Sequence, residues 1–208
     1  MSALTIAVPR GALLGETLDL LDTLGLDTAE VRSNDRKLLF ADVGIVTMRP
    51  SDVPTYVEAG AADVGITGKD VLTEQAERHV YELLDLQYGS CRMVLATVDG
   101  PDPSARALRR LGVMRVATKY PKTAAAFFEM TGRQAEIVEV KGSVELAPLT
   151  GLVEAIVDLT ATGTTLRENN LVVREDLFTS TARLIANPVA HKLKAEAIDT
   201  MLEKLRAS

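Results

Sequence analysis

The stretch Ala155-Ile-Val-Asp-Leu-Thr-Ala-Thr-Gly-Thr-Thr-Leu166 holds the residues best suited to chemistry. Its apolar start drives a buried strand. Asp158 is expected at the end of that strand, exposed at the sheet edge. The loop that follows, Thr160, Ala161, Thr162, Gly163, Thr164 and Thr165, has no bulky side chain. Gly163 can adopt a positive φ and let the backbone approach a ligand closely. A short helix predicted over residues 164–169 would aim free amides at the loop. Amides and threonine hydroxyls together suit a phosphate dianion. A neighbouring carboxylate accepts two hydrogen bonds from a sugar diol. The combination describes a pocket for a ribose 5-phosphate; the alternative is a threonine-rich turn beside a surface aspartate. No Gly-Lys-Ser/Thr of a Walker loop follows, and the glycine spacing is not a dinucleotide fingerprint.

The second signal is where the cations fall. Arg10, Arg49, Lys69 and Lys119 each follow a predicted strand closely. Ligands of parallel α/β sheets bind at the carboxyl ends of strands. Cations gathered there would focus positive potential on polyphosphates; scattered in ordinary loops they would be solvated charges. Arg32-Ser-Asn-Asp-Arg-Lys37 is a polar loop that could reach a pyrophosphate. Glu145 lies near a predicted helix start, where a carboxylate suits the helix dipole. Asp63 and Asp70 could line the edge that carries Lys69, or Asp70 could cap a helix. His79 and His191 fit no metal-ligand spacing. Cys91 opens an apolar strand, where packing is the expected role. No Ser/His/Asp or Cys/His arrangement stands out.

Elements must position these groups, and the chain is long enough for one large domain or two small lobes, at 208 residues. Its 47% hydrophobic and 25% charged residues are those of a globular protein, which excludes a disordered or collagen-like chain. With no Trp, the core rests on Leu, Val, Ile and Ala. A net charge of −6 argues against a general nucleic-acid binder. A single cysteine forbids an internal disulfide and points to a reducing compartment. No apolar run approaches a membrane span, and the N-terminal stretch is too short for a signal peptide. Strands are predicted over residues 4–8, 43–48, 64–67, 80–86, 91–97, 115–118, 135–140, 155–159, 171–173 and 181–186. Helices are predicted over 13–24, 51–59 with Ser51 as N-cap, 103–111, 122–131 and 143–150, with a short one from Lys69. A last helix is predicted from Asn187 as cap to about Arg206. Alternation of this kind means an α/β fold with largely parallel sheets. Ala41-Asp-Val-Gly-Ile recurs as Ala62-Asp-Val-Gly-Ile, which reads as two similar strand entries.

With these residues in view, the sequence resembles the ATP phosphoribosyltransferases that open histidine biosynthesis, over essentially the whole chain. The most specific part is Glu145-Leu-Ala-Pro-Leu-Thr-Gly151, continued by the 155–166 stretch and Asn170-Leu171. Supporting matches are Val8-Pro-Arg-Gly11, Arg36-Lys-Leu-Leu-Phe40, Arg49-Pro-Ser-Asp-Val-Pro54, Ala62-Asp-Val-Gly-Ile-Thr-Gly-Lys-Asp70 and Ala117-Thr-Lys-Tyr-Pro121. Two departures stand out: Glu154 replaces the family's usual aspartate, and Arg10 a frequent lysine.

The resemblance implies a two-lobed α/β fold like the type II periplasmic binding proteins, with mixed, mostly parallel sheets and an active-site cleft between lobes. It places residues 1–88 and 179–208 in one discontinuous lobe and 89–178 in the other, which carries the phosphate loop. It implies that ATP and phosphoribosyl pyrophosphate (PRPP) give N1-phosphoribosyl-ATP and pyrophosphate, with Mg²⁺ brought by the substrates and no covalent intermediate. Glu145, Glu154, Asp158 and Thr160 to Thr165 are assigned to PRPP. Arg10, Gly11, Arg49, Lys69 and Asp70 are assigned to ATP, and Arg10, Arg36 and Arg49 to catalysis. No residue is assigned as a metal ligand. The chain is similar to the short form, which works with a regulatory subunit resembling histidyl-tRNA synthetase. A cytoplasmic hetero-oligomer with a homodimeric core is therefore expected, with no nucleic acid or membrane as partner. Two rivals are a solute-binding or sensor module on the same fold, and a phosphoribosyltransferase with another acceptor.

Overall fold

Four residues that alternate between two apolar layers, Ile6-Ala-Val-Pro9, form the central strand of the first of two sheets. The computed structural model describes residues 4–207. Met1, Ser2 and Ala3, part of the N-terminal stretch read as too short for a signal peptide, lie outside the described residues, as does Ser208. The chain forms two compact units: one holds the residues up to Gly89 and from Thr181 onward, the other is Ser90–Ser180.

The first unit contains β1 (Ile6–Pro9), β2 (Leu39–Phe40), β3 (Ile45–Met48), β4 (Val64–Gly68) and β5 (Tyr81–Asp85). The second contains β6 (Cys91–Val98), β7 (Met114–Thr118), β8 (Ala135–Glu139), β9 (Ala155–Thr160) and β10 (Leu171–Ser180). The chain then returns to the first unit with β11 (Ala182–Ala186). The sheet orders are β2-β3-β1-β4-β11-β5 and β10-β6-β9-β7-β8. Both sheets are mixed, with parallel pairing of β1 to β3 and β4 and of β7 to β8 and β9. The other pairings are antiparallel, so parallel ladders do not predominate as expected. The return strand β11, the edge strand β2 and β6, antiparallel to both of its neighbours, account for the excess.

Helices cover both faces of each sheet. In the first unit, α1 (Leu14–Thr23), α2 (Ala29–Ser33), α3 (Val53–Glu58) and α4 (Lys69–Glu74) precede the crossing. In the second come α5 (Pro103–Leu111), α6 (Pro121–Met130), α7 (Leu146–Leu149) and α8 (Thr164–Glu168). The chain ends with α9 (Pro188–Leu193) and α10 (Ala195–Ala207). Ile6 and Val8 meet Leu18 and Leu21 of α1 and Ile198 of α10, whereas Ala7 meets Val53 and Val57 of α3. Gly65 of β4 permits that second contact: a Cβ there would stand 2.6 Å from Val53 Cγ1. In the second unit, Met93, Val116 and Phe128 fill one layer, and Val94, Ile156 and Leu166 fill the other.

Three expectations need correction. Ser51 does not cap a helix: a single turn of 3-10 helix, Pro50–Asp52, precedes α3, and Ser51 Oγ donates to Asp52 Oδ1. Strand β10 runs to Ser180, because Arg174, Glu175 and Asp176 belong to an edge strand whose outer groups meet water. The last helix breaks at Lys194, whose φ of −120° is not helical; the Asn187 side chain does cap α9, accepting from the amides of Val189 and Ala190.

Candidate functional site

In the second unit, β9 ends in the threonine loop between β6 on one side and β7 on the other. The strand continues through Thr160, which pairs with Arg92 of β6. Asp158 therefore lies inside the strand and is buried, not exposed at the edge as expected. It shares a face with Ile156, the face covered by Val144, Ala147 and Leu166. Burial pushes its carboxyl above the usual aspartate range; Lys119 and the Leu159 amide pull against this, and Glu145 adds to it. Lys119, at the end of β7, places Nζ 3.6 Å from Asp158 Oδ1. Thus Asp158, Lys119 and Glu145 gather at one end of this sheet. From sequence Lys119 is a strand-end cation; the parallel pairing of β7 with β9 delivers it to Asp158.

The loop itself has the conformation its composition suggests. Gly163 has φ +72° and precedes the first turn of α8. The Thr160 hydroxyl accepts from the Gly163 amide at 2.9 Å, and the hydroxyls of Thr162 and Thr164 share a 2.9 Å hydrogen bond. Ala161, Thr162, Thr164 and Thr165 are exposed. The opening amides of a helix have no acceptor within it; here the first, that of Thr164, donates to Thr162 Oγ1 at 3.4 Å. Arg167 was missed by the sequence reading: its Nη1 donates to the Thr162 carbonyl at 2.9 Å and its Nη2 to Thr164 Oγ1 at 3.0 Å. Its position one helical turn after Gly163 was the available signal.

Glu154 does not join this group. It precedes β9, at the opposite end of the strand from the loop. Its carboxylate accepts from the Arg115 amide at 2.7 Å and pairs with Arg115 Nη2 at 2.6 Å. Burial works to raise its pKa, but the Arg115 hydrogen bonds and charge hold it below the usual range. It fastens β9 to β7.

In the first unit, Arg10 and Arg49 follow the adjacent parallel strands β1 and β3, which are in register at Pro9 and Met48. Lys69 follows β4 on the other side of β1. The carboxyl ends of three neighbouring strands thus carry a cation each. Arg36 lies on the loop before β2, is exposed, and has no side-chain partner among the described residues. Arg49 is likewise exposed, and the turn after it is pinned by Thr67 Oγ1, which donates to the Pro50 carbonyl at 2.8 Å. Gly11 has φ +81°, as a turn out of β1 requires. Two assigned cations are already engaged. Lys69 Nζ pairs with Glu82 at 2.6 Å, because β11 brings β5 close to the end of β4. Arg10 spends Nε on Thr47 and Nη2 on the carbonyls of Asp35 and Lys37. Asp70 is buried at the start of α4, folded over Gly68, whose added Cβ would meet its Oδ1.

Among the described residues, no three His, Cys, Asp or Glu side chains could together hold a metal ion. No described helix is long and apolar enough to cross a membrane.

The family described as ATP phosphoribosyltransferase matches residues 49–207. An ATP phosphoribosyltransferase of Rubrobacter xylanophilus is 53% identical over 205 residues, 97% of this chain and 94% of its own. One from Symbiobacterium thermophilum is 48% identical over 211 residues, covering 99% and 95%. The solved ATP phosphoribosyl transferase (HisG:HisZ) complex from Thermotoga maritima is 35% identical, with a TM-score of 0.81 and coverage of 98% and 97%. The periplasmic aliphatic sulphonate binding protein SsuA from Escherichia coli shares the fold at 15% identity, with a TM-score of 0.64 and coverage of 99% and 72%. The α/β architecture is therefore that of type II periplasmic binding proteins, as the sequence led one to expect.

Proposed function

The chain belongs to the ATP phosphoribosyltransferases, glycosyltransferases that open histidine biosynthesis by converting ATP and PRPP to N1-phosphoribosyl-ATP and pyrophosphate, and from that premise we propose how its residues divide the work. The adenine N1 lone pair forms the new bond to the ribose C1. The bond from C1 to the pyrophosphate oxygen breaks, and pyrophosphate leaves with the electron pair. No protein nucleophile is needed. The protein's tasks are to hold two polyanions in line and to stabilise the departing charge.

The observation that carries this division is the open threonine loop directly after the buried Asp158. The loop from Thr160 to Thr165 takes the 5-phosphate, with Arg167 beside it. Asp158 accepts the ribose hydroxyls, assisted by Glu145 and charge-balanced by Lys119. Arg36 and Arg49, exposed and unpaired among the described residues, take the pyrophosphate and the ATP phosphates. A planar guanidinium donates two parallel bonds to such oxygens. Gly11 and Asp70 shape the nearby backbone, and Lys69 contributes to ATP binding only by leaving Glu82. Mg²⁺ arrives with the substrate phosphates, the usual mode for an ion that keeps much of its hydration.

The HisG:HisZ complex of the Thermotoga maritima relative supports a hetero-oligomer here too. We propose for it a homodimeric catalytic core with a subunit similar to histidyl-tRNA synthetase, in the cytoplasm. The test is a coupled assay for phosphoribosyl-ATP from ATP, PRPP and Mg²⁺, with and without that subunit. Product that requires both substrates is expected. Absence of product under both conditions, with PRPP bound, would point to another acceptor.

A further inference from the structure

Arg10 sits where β1 ends, its amide bonded to the Met48 carbonyl at 2.7 Å, so its backbone is fixed by the sheet. Its side chain then reaches the polar loop at residues 34–38. Nε donates to Thr47 Oγ1 at 3.2 Å, and Thr47 is buried in β3. Nη2 donates to the carbonyls of Asp35 and Lys37, the second at 3.3 Å. Those two carbonyls bracket Arg36. The loop is gripped elsewhere as well. Asn34 Oδ1 accepts from the Arg36 and Lys37 amides at 3.3 and 3.1 Å. Lys37 pairs with Glu30 at 2.6 Å, and the Thr47 amide donates to the Leu38 carbonyl at 2.7 Å. The backbone on either side of Arg36 is thus tied down, while the Arg36 side chain is exposed with no partner among the described residues.

We infer that Arg10 is a positioning residue: its guanidinium fixes the 34–38 loop so that Arg36 is held ready for phosphate, and it does not itself bind substrate. The inference rests on the phosphate role proposed above for Arg36. The geometry needs a rigid fork. Three acceptors on two elements are met at once by Nε and Nη2 of one planar group, whereas a lysine ammonium is a single point charge on a flexible stem. A role through charge alone predicts that lysine suffices; a role through the fork predicts that it does not.

The experiment compares Arg10→Ala, Arg10→Lys, Arg36→Ala and the double variant Arg10→Ala/Arg36→Ala in the full chain, assayed with its regulatory subunit. Hydrogen exchange is followed in peptides spanning residues 33–40. Both Arg10 variants should speed exchange in that segment and leave β1 and β3 protected. Both should lower kcat/KM by about 100-fold, the loss that a misplacement of about 1 Å produces. Arg36→Ala should lower activity at unchanged exchange, and the double variant should be no worse than Arg36→Ala. Independent, additive losses would mean that Arg10 contacts substrate and would overturn the inference. So would wild-type activity for Arg10→Lys, or unchanged exchange in Arg10→Ala. Full activity of Arg36→Ala would instead overturn the phosphate role of Arg36 on which the inference stands.

Discussion

Lys119 Nζ stands 3.6 Å from Asp158 Oδ1, and the two side chains differ sharply in exposure: 40% for the lysine, 8% for the aspartate. The carboxylate is thus buried with its countercharge at the rim. Burial alone would favour the neutral acid, which donates a proton where a sugar hydroxyl also wants to donate. The lysine and the Leu159 amide, 2.9 Å from Oδ1, favour the ionised acceptor. Two opposing effects therefore keep a diol-binding group available.

Replacing Asp158 by Asn separates binding from stability. The amide loses charge-assisted hydrogen bonds worth about 1.5–3 kcal/mol, so the KM for PRPP should rise roughly ten- to hundredfold. Stability should move the other way. A carboxyl whose folded pKa is raised stabilises fully below its unfolded pKa, and that contribution is lost as pH rises through the folded value. At pH 8 the variant should therefore melt higher than the wild type. At pH 4 the difference should vanish. An unchanged PRPP KM would remove Asp158 from the ribose site.

Lys119→Met removes the charge that lowers the Asp158 pKa. The acid limb of kcat/KM for PRPP, set by ionisation of Asp158, should then move to higher pH. Lys119→Arg should keep the limb near its wild-type position. A pH–rate profile for the three proteins decides this, and an unmoved limb in Lys119→Met would show that the pair does not control the titration.

The conformation of the threonine loop was legible because its features are local. A glycine with positive φ, hydroxyls at short spacing and a strand before them all lie within a dozen residues. The burial of Asp158 and the partners of Glu154 and Arg10 were not legible, because their surroundings come from distant chain. Burial of Asp158 depends on β6 pairing with Thr160, and capture of Glu154 depends on Arg115, 39 residues away. Engagement of Lys69 depends on β11, which returns late to sit between β4 and β5. The repeated Ala-Asp-Val-Gly-Ile shows the same limit. Gly44 has φ +68° in a turn before β3, whereas Gly65 lies within β4 under Val53. Identical pentapeptides take different backbones because different neighbours pack on them.

Glu154→Gln tests the bracing role that the Arg115 contacts give that residue. Its carboxylate receives the Arg115 amide and guanidinium, and its side chain is 20% exposed. Losing the charge should cost about 1–2 kcal/mol of stability, reduced from a fully buried pair by the solvent exposure of Arg115. The folded pKa is lowered, so this contribution is present above the unfolded pKa and lost as pH falls through the folded one. Urea melts at pH 7 should show the loss, and melts in the acid range should show it shrink. The PRPP KM should stay within twofold of wild type. A tenfold rise with intact stability would return Glu154 to the ligand.

Gly163 offers the sharpest test of the loop. At φ +72° a residue with a Cβ loses about 1–2 kcal/mol relative to glycine. An added Cβ would also stand 3.2 Å from Arg167 Nη1 and push on the guanidinium that braces Thr162 and Thr164. Gly163→Ala should therefore raise the PRPP KM by an order of magnitude while the ATP KM holds. Gly163→Val, branched at Cβ, should abolish PRPP binding measured by calorimetry, yet leave the second unit's sheet intact by circular dichroism. Arg167→Ala should show a milder loss, since it removes the brace and keeps the loop backbone. If Gly163→Val binds PRPP normally, the 5-phosphate lies elsewhere and the threonine loop is only a turn.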